Sequence, residues 1–220
     1  MENSKPKLRI LLLSDQVIER FYSKHIKQLF PDVDIIVSCG DLPYYYLEFI
    51  LDSLNVPLYF VHGNHDPVIE IGEHGEKTAP WGADNLHRKV VYINGVIMAG
   101  FEGSIRYSKA HYQFTQRQVW MQVMLMVPRL LWNWIRYGRG LDILVTHSPA
   151  YDVTDKDDHA HIGFQAYRWL LKTFKPKYHF HGHVHIYEHQ AFSPEQYLDT
   201  TVVNACPYRV VEIDGGVLDG

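Results

Sequence analysis

A chain of 220 residues, 46% hydrophobic and 21% charged, has room for a substantial core, and a single domain over residues 1–220 is expected. The net charge of −4 argues against a broad basic surface for unselective nucleic-acid binding. Cys39 and Cys206 stand far apart and indicate neither a disulfide framework nor a thiolate zinc site, and residues 1–7 lack the apolar run of a secretory signal, so a cytoplasmic setting is expected.

Residues 7–14 form an apolar run suited to a central strand, with Asp15 at its carboxyl end where a hard cation can use it. Phe21, Ile26, Leu29 and Phe30 predict a crossover helix over 19–30 that stops before Pro31. The second strand, 34–39, ends in Gly40-Asp41, and Pro43 opens a helix over 42–50. Tyr44 stands one helical step beyond Asp41, so both side chains can reach one ion, although packing is the commoner role for a tyrosine there. A third strand, 56–61, breaks into Gly63-Asn64-His65-Asp66. Carboxyl ends of strands in an open α/β sheet face the ligand crevice, so this break delivers an amide oxygen, an imidazole and a carboxylate to it.

Residues 72–81 read as a turn-rich loop. Asn94-Gly95 is a hairpin signal joining strands over 85–92 and 96–99. The following loop carries Arg106, Tyr107, Lys109 and His111; Arg106 is the candidate for an anionic substrate, against the commoner solvated role. Residues 116–137 carry a helical apolar stripe interrupted by Pro128, which predicts a buried, divided crossover pair too broken to span a bilayer. The alternative is an apolar lid for a greasy substrate or a membrane surface, because Met121, Leu125 and Trp132 widen the stripe. The strand over 141–146 ends in His147, residues 152–161 read as a solvated acidic rim, and a helix over 164–174 precedes a strand over 177–180. That strand runs into Gly182-His183-Val184-His185, whose alternate imidazoles share a face in extended backbone. Residues 200–213 predict two strands broken by Pro207 that complete a sheet opposite the first. Of the fourteen histidines, His25, His74, His87 and His189 are assigned to surface or core.

Asp15, Gly40-Asp41, Gly63-Asn64-His65-Asp66, His147 and Gly182-His183-Val184-His185 follow one another in an order that resembles the calcineurin-like metallophosphoesterase superfamily, whose motifs run D-x-H, GD, GNH(D/E), H and GHxH. The resemblance covers residues 15–185 and implies a four-layer α-β-β-α sandwich of two mixed sheets flanked by helices. It implies two transition metal ions, manganese, iron or zinc, one on Asp15, Asp41 and His185 and the other on Asp41, Asn64, His147 and His183. A metal-bridging hydroxide is then the nucleophile on a phosphate monoester or diester, and His65 protonates the leaving oxygen or steadies the transition state, with Asn64 and Arg106 toward the substrate. Val17 stands where the first motif has histidine and cannot ligate. The purple acid phosphatase branch, which also lacks that histidine, uses the tyrosine of GDxxY; Gly40-Asp41-Leu42-Pro43-Tyr44 matches, which makes Tyr44 a ligand and a ferric ion plausible. The expected partner is a small phosphorylated substrate with room for an apolar part. The competing readings are a metal-poor, non-catalytic scaffold of the same fold, or a nuclease, against which the acidic balance counts.

Overall fold

The computed structural model describes residues 7–72, 75–185 and 193–214; His74 and His189 lie outside them. The first part of the chain forms β1 (Lys7–Leu13), α1 (Ile26–Leu29), β2 (Ile35–Ser38), α2 (Tyr44–Leu54), β3 (Leu58–Phe60), β4 (Glu70–Gly72), β5 (Gly75–Lys77) and β6 (Asp84–Asn85). Then come β7 (Val90–Ile93), β8 (Val96–Phe101), β9 (Ser104–Ile105), β10 (Gln113–Phe114), α3 (Gln116–Tyr137), β11 (Ile143–Thr146) and α4 (Gln165–Phe174). β12 (Tyr178–His181), β13 (Glu195–Tyr197), β14 (Thr200–Asn204) and β15 (Tyr208–Asp214) complete the order.

One sheet runs β15-β1-β2-β3-β6, parallel from β1 to β6, with β15 antiparallel at its edge. The other runs β13-β14-β12-β11-β8-β7, parallel in the centre and antiparallel at both edges. Alternation along β1 decides the layering: Leu8, Ile10 and Leu12 point one way, Leu11 and Leu13 the other. The first set meets Val37, Met98, Val145 and Phe180 between the sheets. The second packs under α1 and α2 with Ile26, Leu47 and Ile50. Behind the other sheet, Ile97, Ala99 and Leu144 pack on Val123 of α3 and Leu170 of α4. Three apolar cores thus separate four layers, helix, sheet, sheet, helix, and each fully buried Leu or Ile contributes about 2 kcal/mol of burial. The four-layer α-β-β-α expectation holds.

Several local expectations change. The helix over 19–30 is a 3-10 turn at Glu19–Phe21 followed by the short α1. Phe21 and Ile26 would lie on nearly opposite sides of an uninterrupted helix, and the break lets both be fully buried. Within the expected 72–81 loop, β5 pairs with β4, and buried Lys77 ties the pair to Glu48 at 2.6 Å and Glu70 at 3.2 Å. Asn94 and Gly95 take the positive φ values, 47° and 77°, of the expected hairpin turn. Residues 84–85, however, belong to the first sheet, so the chain changes sheets before β7. Residues 200–213 are likewise divided: β14 joins the second sheet and β15 the first. α3 is one continuous helix, closed at its start by a Thr115/Gln118 capping box. Pro128 and Met124 lie on its exposed side, so the carbonyl that loses a donor to proline faces solvent. Among the described residues, no helix is long and apolar enough to cross a membrane.

Candidate metal centre

The parallel strands of both sheets end along one edge, and the polar residues that follow them are gathered there. β1 leads into Asp15, β2 into Asp41, β3 into Asn64 and His65, β11 into His147, and β12 into His183 and His185. Tight turns aim them: Asp15, Asp41 and His183 have φ of 65°, 59° and 65°, a left-handed backbone that a non-glycine residue adopts at a cost. Gly63 makes the closest approach possible, since a Cβ there would lie 2.0 Å from Asp41 Oδ1.

Hydrogen bonds fix which imidazole nitrogens face the centre. His147 Nδ1–H donates to the Cys39 carbonyl at 2.7 Å, so Nε2 is the nitrogen turned to the centre, the one that ligates once its proton leaves. His183 Nε2–H donates to the Ala160 carbonyl at 2.7 Å, which leaves Nδ1 with its lone pair. His147 Nε2 then stands 3.0 Å from Asn64 Oδ1, 3.1 Å from His183 Nδ1 and 3.3 Å from Asp41 Oδ2. Asp41, His147 and His183 each offer a ligand atom, all within 4.8 Å of one another. Carboxylate oxygen, amide oxygen and two imidazole nitrogens are the donor set of a borderline transition metal ion, so the residues fit the group their motifs imply.

The charges respond to this crowding. Burial alone would strip the proton from His147, but Asp41 and then Asp15 outweigh it and hold the imidazole at about 9. Burial opposes ionisation of Asp41, yet His147 keeps that carboxyl at about 2. His183 is pushed down to about 3, first by burial and then by His147. Asp66 is raised to about 7 by burial and the Asp41 charge, against the backbone N–H of Gly63. Its two oxygens accept from Leu42 N and Gly63 N, both at 2.9 Å, and so lock the Gly40-Asp41 turn to the Gly63-Asn64 turn.

Asp15 adjoins the cluster, its carboxylate accepting from His183 N at 3.0 Å. His185 Nε2 stands 3.9 Å from Asp15 Oδ1 with its side chain 47% exposed, and Gln16 Nε2 lies 3.4 Å from His185 Nδ1. This side is thinner than the other, and Val17 is exposed beside it. His65 is exposed, with its backbone N–H held by Asp41 Oδ1 at 2.7 Å.

Two expected site residues are not brought in. The Tyr44 hydroxyl donates to the Pro67 carbonyl, and burial, with Tyr112 and Asp66 nearby, raises its pKa, which disfavours a phenolate ligand. The GDxxY spacing is present, but the pull of that carbonyl turns the phenol to a structural use. Arg106 spends its guanidinium on the Gln113 carbonyl at 3.1 Å and Gln118 Oε1 at 3.2 Å, tying β10 and α3 together. The residue of that loop which reaches the site is Tyr107: its hydroxyl accepts from Asn64 Nδ2 at 3.0 Å and lies 3.4 Å from His65 Nε2. No sequence signal distinguished it from its neighbours.

A family model described as calcineurin-like phosphoesterase matches residues 8–187. Among solved structures, TT1561 of Thermus thermophilus superposes with a TM-score of 0.60 at 16% identity, covering 91% of this chain and 89% of that one. Vacuolar Protein Sorting 29 from Cryptosporidium parvum gives 0.47 at 12% identity over 95% and 86% of the two chains. A protein described as a novel archaeal phosphodiesterase gives 0.42 at 13% identity over 94% and 100%. No curated protein matches.

Proposed function

The chain belongs to the calcineurin-like phosphoesterase family, and from that premise we propose that it is a metal-dependent hydrolase of a phosphate monoester or diester on a small molecule. One observation carries the proposal: Asp41 Oδ2, Asn64 Oδ1 and His183 Nδ1 close on His147 Nε2 within 3.3 Å, with both imidazole protons committed to carbonyls on the far side. In this reading Asn64, His147 and His183 hold one ion, Asp15 and His185 hold the other, and Asp41 is shared; manganese, iron or zinc suits the set. When bound, the ions supply the hydroxide nucleophile and the charge that clamps the attacking and leaving oxygens.

The chain's own residues do the rest. Tyr107 holds the Asn64 amide with its oxygen toward His147 and offers a partner to the His65 ring. His65, fixed through its backbone and open to solvent, would give a proton to the oxygen released when the P–O bond breaks. Ala160 and Cys39 select the histidine tautomers.

The test loads the protein with manganese, iron or zinc and assays a phosphate monoester and a diester in parallel. His65→Ala is expected to keep its metal and lose turnover by about 10²–10⁴. Full turnover in that variant would remove His65 as the acid, and failure to retain any of the three metals would defeat the reading. A second reading, a binding scaffold of the same fold, is favoured by the thin side of the centre, where His185 is 47% exposed and 3.9 Å from Asp15. Metal retention without turnover on either ester supports it.

A further inference from the structure

α3 has two apolar faces, and the described residues cover one of them. Val119, Val123, Met126 and Leu130 pack inward against the second sheet and α4. On the opposite side Leu125 is 72% exposed, Ile135 81%, and Met121 and Trp132 59% each, with Met124 beside them. Successive members of this outer stripe lie three, four or seven residues apart, so they form one continuous face about 20 Å long. At its start a hollow of about 430 Å³ opens between Arg117, Trp120, Met121, Met124 and Leu125.

What covers the face is decided by charge. α3 and α4, the two helices on this flank, contain five basic residues and no acidic one, in a chain whose net charge is −4. Arg117, Arg129 and Arg136 pair with no carboxylate among the described residues; Arg129 and Arg136 lie over the rings of Tyr92 and Tyr137 instead. A second copy laid on the same face would set these cations against one another with no carboxylate between them. A bilayer bearing anionic headgroups supplies what is missing: phosphate for the guanidinium groups, acyl chains for Leu125 and Ile135, and an interface for Trp132. We propose that the outer face of α3 seats the protein, lying flat, on an anionic membrane surface. The proposal is independent of the metal chemistry and is read without an activity assay.

The test sediments the full chain with sucrose-loaded vesicles of phosphatidylcholine alone or mixed with phosphatidylglycerol, alongside light scattering of the protein without lipid. The intact chain is expected to pellet with the anionic vesicles, to be released by salt, and to show a blue shift of tryptophan emission. Arg117→Gln with Arg136→Gln is expected to weaken partitioning by on the order of thirtyfold, about fivefold per arginine. Leu125→Ser with Ile135→Ser is expected to abolish the pelleting, and both sites are exposed enough to leave the melting temperature unchanged. A chain that stays in the supernatant overturns the proposal, as does equal pelleting with both lipids. A dimer that Leu125→Ser with Ile135→Ser dissociates also overturns it, in favour of a second copy.

Discussion

Metal-free protein is expected to lose stability as the pH rises from neutral to about 9, through one imidazole, and to be rescued by metal. His147 is fully buried, yet Asp41 at 3.3 Å and Asp15 beyond it hold the ring protonated to about 9, against an ordinary value of 6.5. A group whose folded-state value is the higher one stabilises the fold fully below its unfolded value and ceases to do so as the pH passes the folded one. Between 6.5 and about 9 the change is worth about 3 kcal/mol. His183 at about 3 has finished titrating before this window; Asp66 at about 7 is half titrated at neutral pH and adds a small loss of the same sign at that end, so the slope above about pH 8 is the part assigned to His147. The assay is urea unfolding with EDTA or with manganese at about pH 7 and about pH 9. The EDTA midpoint should fall and the manganese midpoint should hold, because a bound cation does the work of the proton. Manganese affinity should rise over the same range as the competing proton leaves. A flat EDTA profile, or an unchanged slope in His147→Gln, would refute the electrostatic reasoning.

Tyr44→Phe is expected to leave metal content unchanged and cost about 1 kcal/mol for the hydrogen bond to Pro67; metal depletion measured by elemental analysis would return the phenol to the centre. Gly63→Ala places a Cβ 2.0 Å from Asp41 Oδ1 and 2.5 Å from the Asp41 backbone nitrogen. The Asp41 turn must shift, so metal retention should fail along with about 1–3 kcal/mol of stability, and a variant that binds manganese normally would contradict the geometry. Lys77→Met strands Glu48 and Glu70 without their cation and should cost about 2–4 kcal/mol by urea unfolding. The triple change Lys77→Met, Glu48→Gln, Glu70→Gln should recover part of it.

The strands of both sheets were legible because burial on two faces leaves little else in the sequence: Ile35–Ser38 and Ile143–Thr146 are buried at every position, and a glycine or histidine follows each within two residues. The sheet to which a short strand belongs was not. Asp84–Asn85 and Tyr208–Asp214 carry no local mark of the layer they join, since the same alternation serves either inner face. α3 misled in a different way. Its stripe reads first as a buried, divided pair and only as the alternative as an uncovered apolar face, whereas Leu125, Trp132 and Ile135 do face outward, and hydropathy alone does not separate a buried apolar face from an uncovered one.

The residues that converge at the centre were readable because metal ligation demands particular atom types: a carboxylate from Asp41, an amide oxygen from Asn64, imidazole nitrogen from His147 and His183. The groups that aim them obey no such demand. A hydrogen-bond acceptor for an imidazole N–H can be any carbonyl, and here Cys39 and Ala160 serve from positions 108 and 23 residues away from the histidines they orient. The Asn64 amide needs only a hydroxyl at 3.0 Å, which Tyr107 supplies from a loop whose arginine looked the better candidate by charge. Charge pointed to Arg106, but reach decided against it. A guanidinium that can satisfy two donors on the Gln113 carbonyl beside it is already paired, while a phenol at the next position crosses to the site.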